Sequence, residues 1–291
     1  MIIIENDHLY VAIHPKGAEL QELRNKHTGI NHMWSGDPNY WGKFSPILFP
    51  IVGTLKDNTY MYNGNEYTLP RHGFARDRTF IAEQLSPVAA TFTLKDDAET
   101  RINYPFPFKL EVHYQLDDDQ LTCRYTVSNT GESDLLFSLG AHPAFAVPME
   151  MEGINSGYED HFLVFDRSSQ LLRYKLNDGL ISENTTVVEL EQGRLPLSSS
   201  LFSEDALVMK GLPDTEIRIE SNMHTHGLSF RWEGFPFFGI WAAPGAPFVC
   251  LEPWCGIADS VNHNKELAEK EGVERLPPGD MWTRHWLLKP F

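Results

Sequence analysis

Four short segments of this chain set charged or imidazole side chains among glycine, proline and aromatic residues. They are Pro70-Arg71-His72-Gly73-Phe74-Ala75-Arg76, Leu139-Gly140-Ala141-His142-Pro143-Ala144-Phe145, Phe248-Val249-Cys250-Leu251-Glu252-Pro253-Trp254 and, less sharply, Phe202-Ser203-Glu204-Asp205-Ala206-Leu207. Glu252 ends an apolar run that reads as a buried strand. A carboxylate there must be hydrogen-bonded, paired or raised in pKa, and such a group can serve as a general base. His142 precedes Pro143, which restrains the backbone around it. An imidazole at a rigid strand end suits proton donation near neutral pH. His72 lies between Arg71 and Gly73, with Arg76 four positions on. Gly73 lets a ligand approach the backbone, and Arg and His supply donors for hydroxyl groups. Residue type and spacing leave plainer readings open: a solvent-facing Glu at a strand exit, a packed His bonded to a carbonyl, a basic surface turn.

Trp34, Trp41, Phe74, Phe145, Trp241 and Trp254 lie in or near these segments. Aromatic faces pack on the apolar C–H faces of pyranose rings, although core packing takes most aromatics in a large protein. Two other constellations point to metal only weakly. His224-Thr225-His226 would put two imidazoles on one strand face, but no carboxylate follows closely and a wet polar face explains the pair equally well. Asp117-Asp118-Asp119 lacks the alternating spacing of a calcium loop and suits a hairpin turn. No metal site and no cofactor are expected.

The elements that must position these residues have a period of two. Residues 109–116 alternate polar and apolar side chains, the three aspartates interrupt, and residues 120–129 alternate again. This predicts a long antiparallel hairpin with one dry and one wet face. Residues 61–62 and 66–69 flank Asn63-Gly64, a pair suited to the positive φ values of a tight turn. Further strands are expected at 9–13, 89–94, 162–165, 186–190, 216–220, 237–241, 248–252 and 282–288. The clearest helical pattern, 263–271 before Gly272, is either one short helix or a charged loop. Many strands, Gly/Pro turns and little helix predict a sandwich or barrel. No linker, composition break or repeat divides the chain, so residues 1–291 are expected to form a single domain.

The formal net charge of −16 repels nucleic acid and anionic membrane surfaces, and no apolar run is long enough to span a bilayer. The partner expected is therefore a neutral or weakly charged small molecule. Cys123, Cys250 and Cys255 are odd in number and lack zinc spacing. With no secretory signal pattern, a cytoplasmic protein with reduced thiols is expected, as a monomer or homodimer.

Taken in order, the His-Gly segment, His-Pro-Ala-Phe, the Asp segment and Leu-Glu-Pro-Trp resemble the aldose 1-epimerase (galactose mutarotase-like) family, and in particular its LacX-like branch. Tyr104-Pro105-Phe106-Pro107-Phe108 and Phe49-Pro50-Ile51-Val52-Gly53 extend the resemblance over nearly the whole chain. It implies an all-β fold, a large antiparallel β-supersandwich with a sugar site in a cleft on one sheet. It also implies interconversion of the α and β anomers of a hexose without a cofactor. His142 would be the acid that protonates the ring oxygen and Glu252 the base that takes the C1 hydroxyl proton. His72 would bind near the ring oxygen or C1, and Asp205 would grip sugar hydroxyls.

The chain departs from galactose mutarotases at Gly53-Thr54-Leu55-Lys56-Asp57-Asn58, where those enzymes carry a Gly-Arg…Asn-Arg segment whose Arg contacts the sugar. Lys56, which lacks the planar fork of Arg, Arg71 and Arg76 are the candidates for that contact. Arg71 and Arg76 are alternatively candidates for a phosphate, as in hexose-6-phosphate mutarotases. The rival readings are such a phosphate-reading mutarotase and a non-catalytic carbohydrate-binding protein. A glycoside hydrolase, needing two opposed carboxylates, is weaker still.

Overall fold

The computed structural model describes residues 1–149 and 153–291. Strand accounts for 51% of the chain and helix for 6%, so the period-two pattern carries the architecture. Two large antiparallel sheets dominate. The nine-stranded sheet runs in the order Arg194–Pro196, His161–Phe165, Glu216–Ser221, Leu228–Glu233, Met281–Pro290, Gln120–Asn129, Phe108–Asp117, Ala89–Lys95, Ile81–Ser86. The eight-stranded sheet runs Leu180–Glu189, Gln170–Asn177, Leu207–Lys210, Phe237–Trp241, Phe248–Cys255, Leu139–Ala141, Ile47–Leu48, with Ala144–Ala146 also paired to Phe248–Cys255. Phe230 and Trp232 of the first sheet meet Phe238 of the second at ring-centre distances of 6.4 and 4.2 Å. The core therefore lies between the two sheets, as in a sandwich.

Local chemistry accounts for the hairpins. Asp117 pairs with Gln120 across a two-residue turn, and the inward side chains of Phe108–Asp117 are buried on alternate positions. Tyr62 pairs with Asn65, with Asn63 and Gly64 both at positive φ (50° and 74°), the conformation that a tight hairpin turn demands. The 263–271 pattern resolves as a loop with a single 3-10 turn, Leu267–Glu269. Lys265 at φ 74° breaks the helical path. The one α-helix among the described residues is Ala98–Asn103, which the hydrophobic pattern does not reveal. Asp97 accepts from the Thr100 backbone N–H, and Thr100 Oγ1 accepts from the Asp97 N–H, a reciprocal cap. No helix among the described residues is long and apolar enough to cross a membrane.

The central strands of the eight-stranded sheet are buried on both faces. Period two directs Val249, Leu251, Phe238, Ile240 and Leu139 into the main core. It directs Glu252, Trp254, Trp241, Gly239 and Gly140 to the opposite face. Loops cover that face and close a second apolar cluster around Trp254, Val208, Ala206, Ile257 and Ala258. The ladder also corrects one expectation. The strand expected to stop at residue 252 continues to Cys255, so Glu252 lies inside a strand, not at its exit. Pro253 is tolerated there because its neighbour is interrupted. The Leu251 N–H bonds to the Pro143 carbonyl, and the nitrogen two residues on faces the same break, where a ladder donor is not required.

Candidate active site

Glu252 and His142 meet because one strand has two partners. Leu139–Ala141 pairs with its far end and Ala144–Ala146 with its near end. The His142-Pro143 step falls between these segments and turns the imidazole across the strand. His142 Nε2 lies 3.2 Å from Glu252 Oε2, and both residues are buried. Trp41 stacks on the imidazole at 4.9 Å between ring centres, and Trp241 abuts it at 5.8 Å. Beneath them, the Trp254 indole lies over two glycines. A Cβ on Gly239 would come within 2.4 Å of the indole ring, and one on Gly140 within 2.6 Å. The absence of side chains on both neighbouring strands gives the indole its bed.

His72 joins from a loop folded over the same face. It has φ 68°, and the next residue could only be glycine, since a Cβ on Gly73 would lie 2.3 Å from the Phe49 carbonyl oxygen. The His72 N–H donates to the Gly53 carbonyl at 2.9 Å. In return the Gly53 N–H donates to His72 Nδ1 at 3.1 Å. A backbone N–H can only donate, so Nδ1 is an acceptor. Arg71 Nε donates to His72 Nε2 at 3.2 Å, so N–H donors face both ring nitrogens of His72. The Arg76 guanidinium donates to the Arg71 carbonyl at 2.8 Å, while its Nε is buried 3.7 Å from Asp77 Oδ2 and has no hydrogen-bond partner among the described residues.

Asp205 is reached through a residue the sequence reading missed. Arg173 is 8% exposed in a strand, and its guanidinium donates to the Asp205 carbonyl at 3.1 Å. It also pairs with Glu204. Asp205 has φ 72°, and its carboxylate accepts from the Ala206 N–H at 2.7 Å. The available signal was an arginine on the inward phase of the 170–177 strand, next to Leu171.

Arg71, His72, Arg76, His142, Asp205 and Glu252 all line one cavity of about 330 Å³, within the ordinary range for small-molecule sites. Lys56 does not. Its amine donates to the His263 carbonyl at 3.1 Å and its N–H to Asp259 Oδ2 at 2.9 Å. Lys56 therefore belongs to the scaffold that holds the cavity wall formed by Ile257 and Ala258. Asp259 also pairs with Lys270 at 2.8 Å, with both side chains 1% exposed. His224 and His226 lie elsewhere, in the loop between Glu216–Ser221 and Leu228–Glu233, so they do not share a strand face.

Burial dominates the electrostatics of the pair. It pushes His142 down to about 3, with Arg71 and Arg76 acting the same way. It pushes Glu252 well above the ordinary carboxylate range, and the Arg71 charge opposes that rise. The expected gain in His142 basicity from a nearby carboxylate is thus outweighed by desolvation. Burial thus favours the uncharged form of each partner, the neutral imidazole and the protonated carboxyl. His72 is also pushed well down by burial, and His142, Arg71 and Arg76 add to that effect. His142, Cys250 and Glu252 bring three possible metal-ligand atoms within 4.8 Å of one another. Burial holds the Cys250 thiol well above its usual range. The site therefore combines a buried imidazole–carboxyl pair, two guanidiniums and aromatic walls. It can give a proton to one oxygen and take one from another.

Comparison with known proteins points the same way. A family model described as aldose 1-epimerase matches residues 1–265. The plasmid-encoded protein LacX of Lactococcus lactis subsp. lactis is 32% identical over 289 residues, covering 96% of this chain and 95% of that protein. The crystal structure of a galactose mutarotase related enzyme from Lactobacillus acidophilus superposes with a TM-score of 0.92 at 33% identity, covering 100% of this chain and 97% of that one. A galactose mutarotase-like protein from Lactobacillus casei gives 0.90 at 31% identity, with both chains covered in full.

Proposed function

This chain belongs to the aldose 1-epimerase family of sugar isomerases, and from that premise we propose that it interconverts the α and β anomers of a hexose through the His142–Glu252 pair. The observation that carries the proposal is the 3.2 Å approach of these two buried groups on the wall of one cavity. Ring opening needs a proton on the ring oxygen and the loss of the C1 hydroxyl proton. The sugar hydroxyl, donating to Glu252, and the Arg71 charge both favour the carboxylate, which moves the carboxyl proton onto His142. His142 Nε2–H then protonates O5 as the C1–O5 bond breaks. Glu252 takes the O1 proton as C1=O1 forms. Half a turn about C1–C2 and reversal of both transfers closes the ring on the other face. Nothing is oxidised and no covalent adduct forms. Arg71, hydrogen-bonded to His72, offers further donors to a sugar oxygen, Asp205 offers an acceptor, and Trp41, Trp241 and Trp254 offer apolar faces.

A free hexose is the substrate favoured by the net charge of −16, which gives an anion no long-range attraction. One observation favours a phosphorylated hexose instead. Arg71 has no carboxylate partner within ion-pair distance among the described residues, and Arg76 Nε, 3.7 Å from Asp77 Oδ2, makes no hydrogen bond to the described residues, so two guanidiniums with spare donors line the cavity. Polarimetry of freshly dissolved α-D-glucose, α-D-galactose and glucose 6-phosphate separates these readings. Acceleration of a free hexose supports the first. Acceleration of the phosphate alone, weakening with salt, supports the second. No acceleration of any sugar removes both and leaves a binding protein.

A further inference from the structure

A second cluster of imidazoles lies on the nine-stranded sheet, and none of its residues lines the cavity around Glu252. His161 opens the strand His161–Phe165 and pairs with Ser221, the last residue of the neighbouring strand. His224 follows three residues later in the loop. Register therefore brings together two histidines that are far apart in sequence, with ring centres 5.6 Å apart and planes at 63°.

Their hydrogen bonds define their tautomers. His161 Nδ1 lies 2.9 Å from the Gly157 carbonyl, and His224 Nδ1 lies 3.0 Å from the His226 carbonyl. A carbonyl can only accept, so both Nδ1 atoms carry the proton and both Nε2 atoms present a lone pair. Both Nε2 atoms are buried and have no hydrogen-bond partner among the described residues, and His161 as a whole is 1% exposed. Buried acceptors without partners are uncommon and call for an explanation. The carbonyl that orients His161 is itself held, because Asp160 Oδ2 accepts from the Gly157 N–H at 2.8 Å. An Nδ1–H bonded to a carbonyl with Nε2 left free is the arrangement that metal-ligating histidines adopt. Spacing agrees as well: two imidazoles bound through Nε2 at about 2.1 Å to a tetrahedral centre have ring centres roughly 5 Å apart.

We infer that His161 and His224 bind one divalent transition-metal ion through Nε2, with water completing the coordination. Imidazole nitrogen selects Zn²⁺, Ni²⁺ or Cu²⁺ over Mg²⁺ and Ca²⁺. The ion clips the loop before Leu228–Glu233 to the end of the sheet, away from the proton-transfer pair. The His226 ring, 6.3 Å from that of His224, is a further imidazole beside the site.

The test is equilibrium dialysis of the full chain, first stripped with EDTA, against micromolar Zn²⁺ and then Mg²⁺, with bound metal counted per chain. One Zn²⁺ and no Mg²⁺ are expected, with a rise in melting temperature on adding Zn²⁺. His224→Gln, at a half-buried loop position, should fold normally and weaken Zn²⁺ binding at least about tenfold, since even supporting groups around a metal are worth that much. Glu252→Gln should leave Zn²⁺ binding unchanged, which separates this site from the His142, Cys250 and Glu252 group. Zn²⁺ binding undiminished in folded His224→Gln, or lost in Glu252→Gln, overturns the assignment, as does the absence of Zn²⁺ binding to the parent protein.

Discussion

Glu252→Gln is the most informative single change. The amide keeps the size and hydrogen-bonding capacity of the carboxyl but can neither lend nor hold the transferred proton. A positioned acid or base is worth on the order of 10²–10⁴ in rate. The structure points to the upper part of that range. With burial holding His142 near 3, the imidazole is neutral at pH 7, so once the Glu252 proton is gone the site has none to give. A fall in kcat of about 10³–10⁴ corresponds to roughly 4–5.5 kcal/mol of lost transition-state stabilisation, with little change in KM. Stability should move the other way. Burial raises Glu252 above its ordinary value of 4.5, so the folded state binds the proton more tightly than the unfolded state. Stability from this group is then present below 4.5 and lost as pH rises through the folded value. Glutamine does not titrate, so the melting temperature of Glu252→Gln relative to the parent should increase with pH. Polarimetry of fresh α-hexose and thermal melts from pH 5 to 9 measure both effects. A folded variant with mutarotation within threefold of the parent would falsify the proton-transfer role.

Three further changes test the scaffold. Gly239→Ala puts a Cβ 2.4 Å from the Trp254 ring. This should cost about 1–3 kcal/mol and tilt the indole into the cavity, raising KM more than it lowers kcat; an unchanged KM means that the sugar does not rest on this floor. Lys270→Met leaves Asp259 buried without its cation and should cost about 3–5 kcal/mol; a melting temperature equal to that of the parent contradicts this. Burial also holds His32, 1% exposed, down to about 3 from an ordinary 6.5. A lowered histidine is bound by fewer protons in the folded state, so urea midpoints should fall as pH drops from 6.5 towards 3, and His32→Asn should flatten part of that slope.

Much of the fold is legible in the residues alone. Alternation at 109–116 and 120–129, the Asn63-Gly64 turn and the scarcity of helical pattern all act locally, within one strand or one turn. The helix Ala98–Asn103 escapes notice because its capping box, not an apolar stripe, defines it, and six residues are too few to show a period. Glu252 reads as a strand exit because proline usually ends a ladder. Only the interruption of the neighbouring strand at His142-Pro143 shows why this ladder continues.

The sequence by itself determined the class of fold, the family and the segments that carry polar chemistry among apolar strands, because side-chain alternation and turn geometry depend on near neighbours along the chain. Tertiary structure decided which of those residues meet. Sheet order sets Leu139–Ala141 and Phe237–Trp241 on either side of Phe248–Cys255, and this joins His142 to Glu252 across 3.2 Å. The loop path sends Lys56 to the His263 carbonyl instead, and strand register sets His161 beside His224. The preference of both partners for their uncharged forms is likewise a property of the fold, because burial by residues distant in sequence disfavours charge on each.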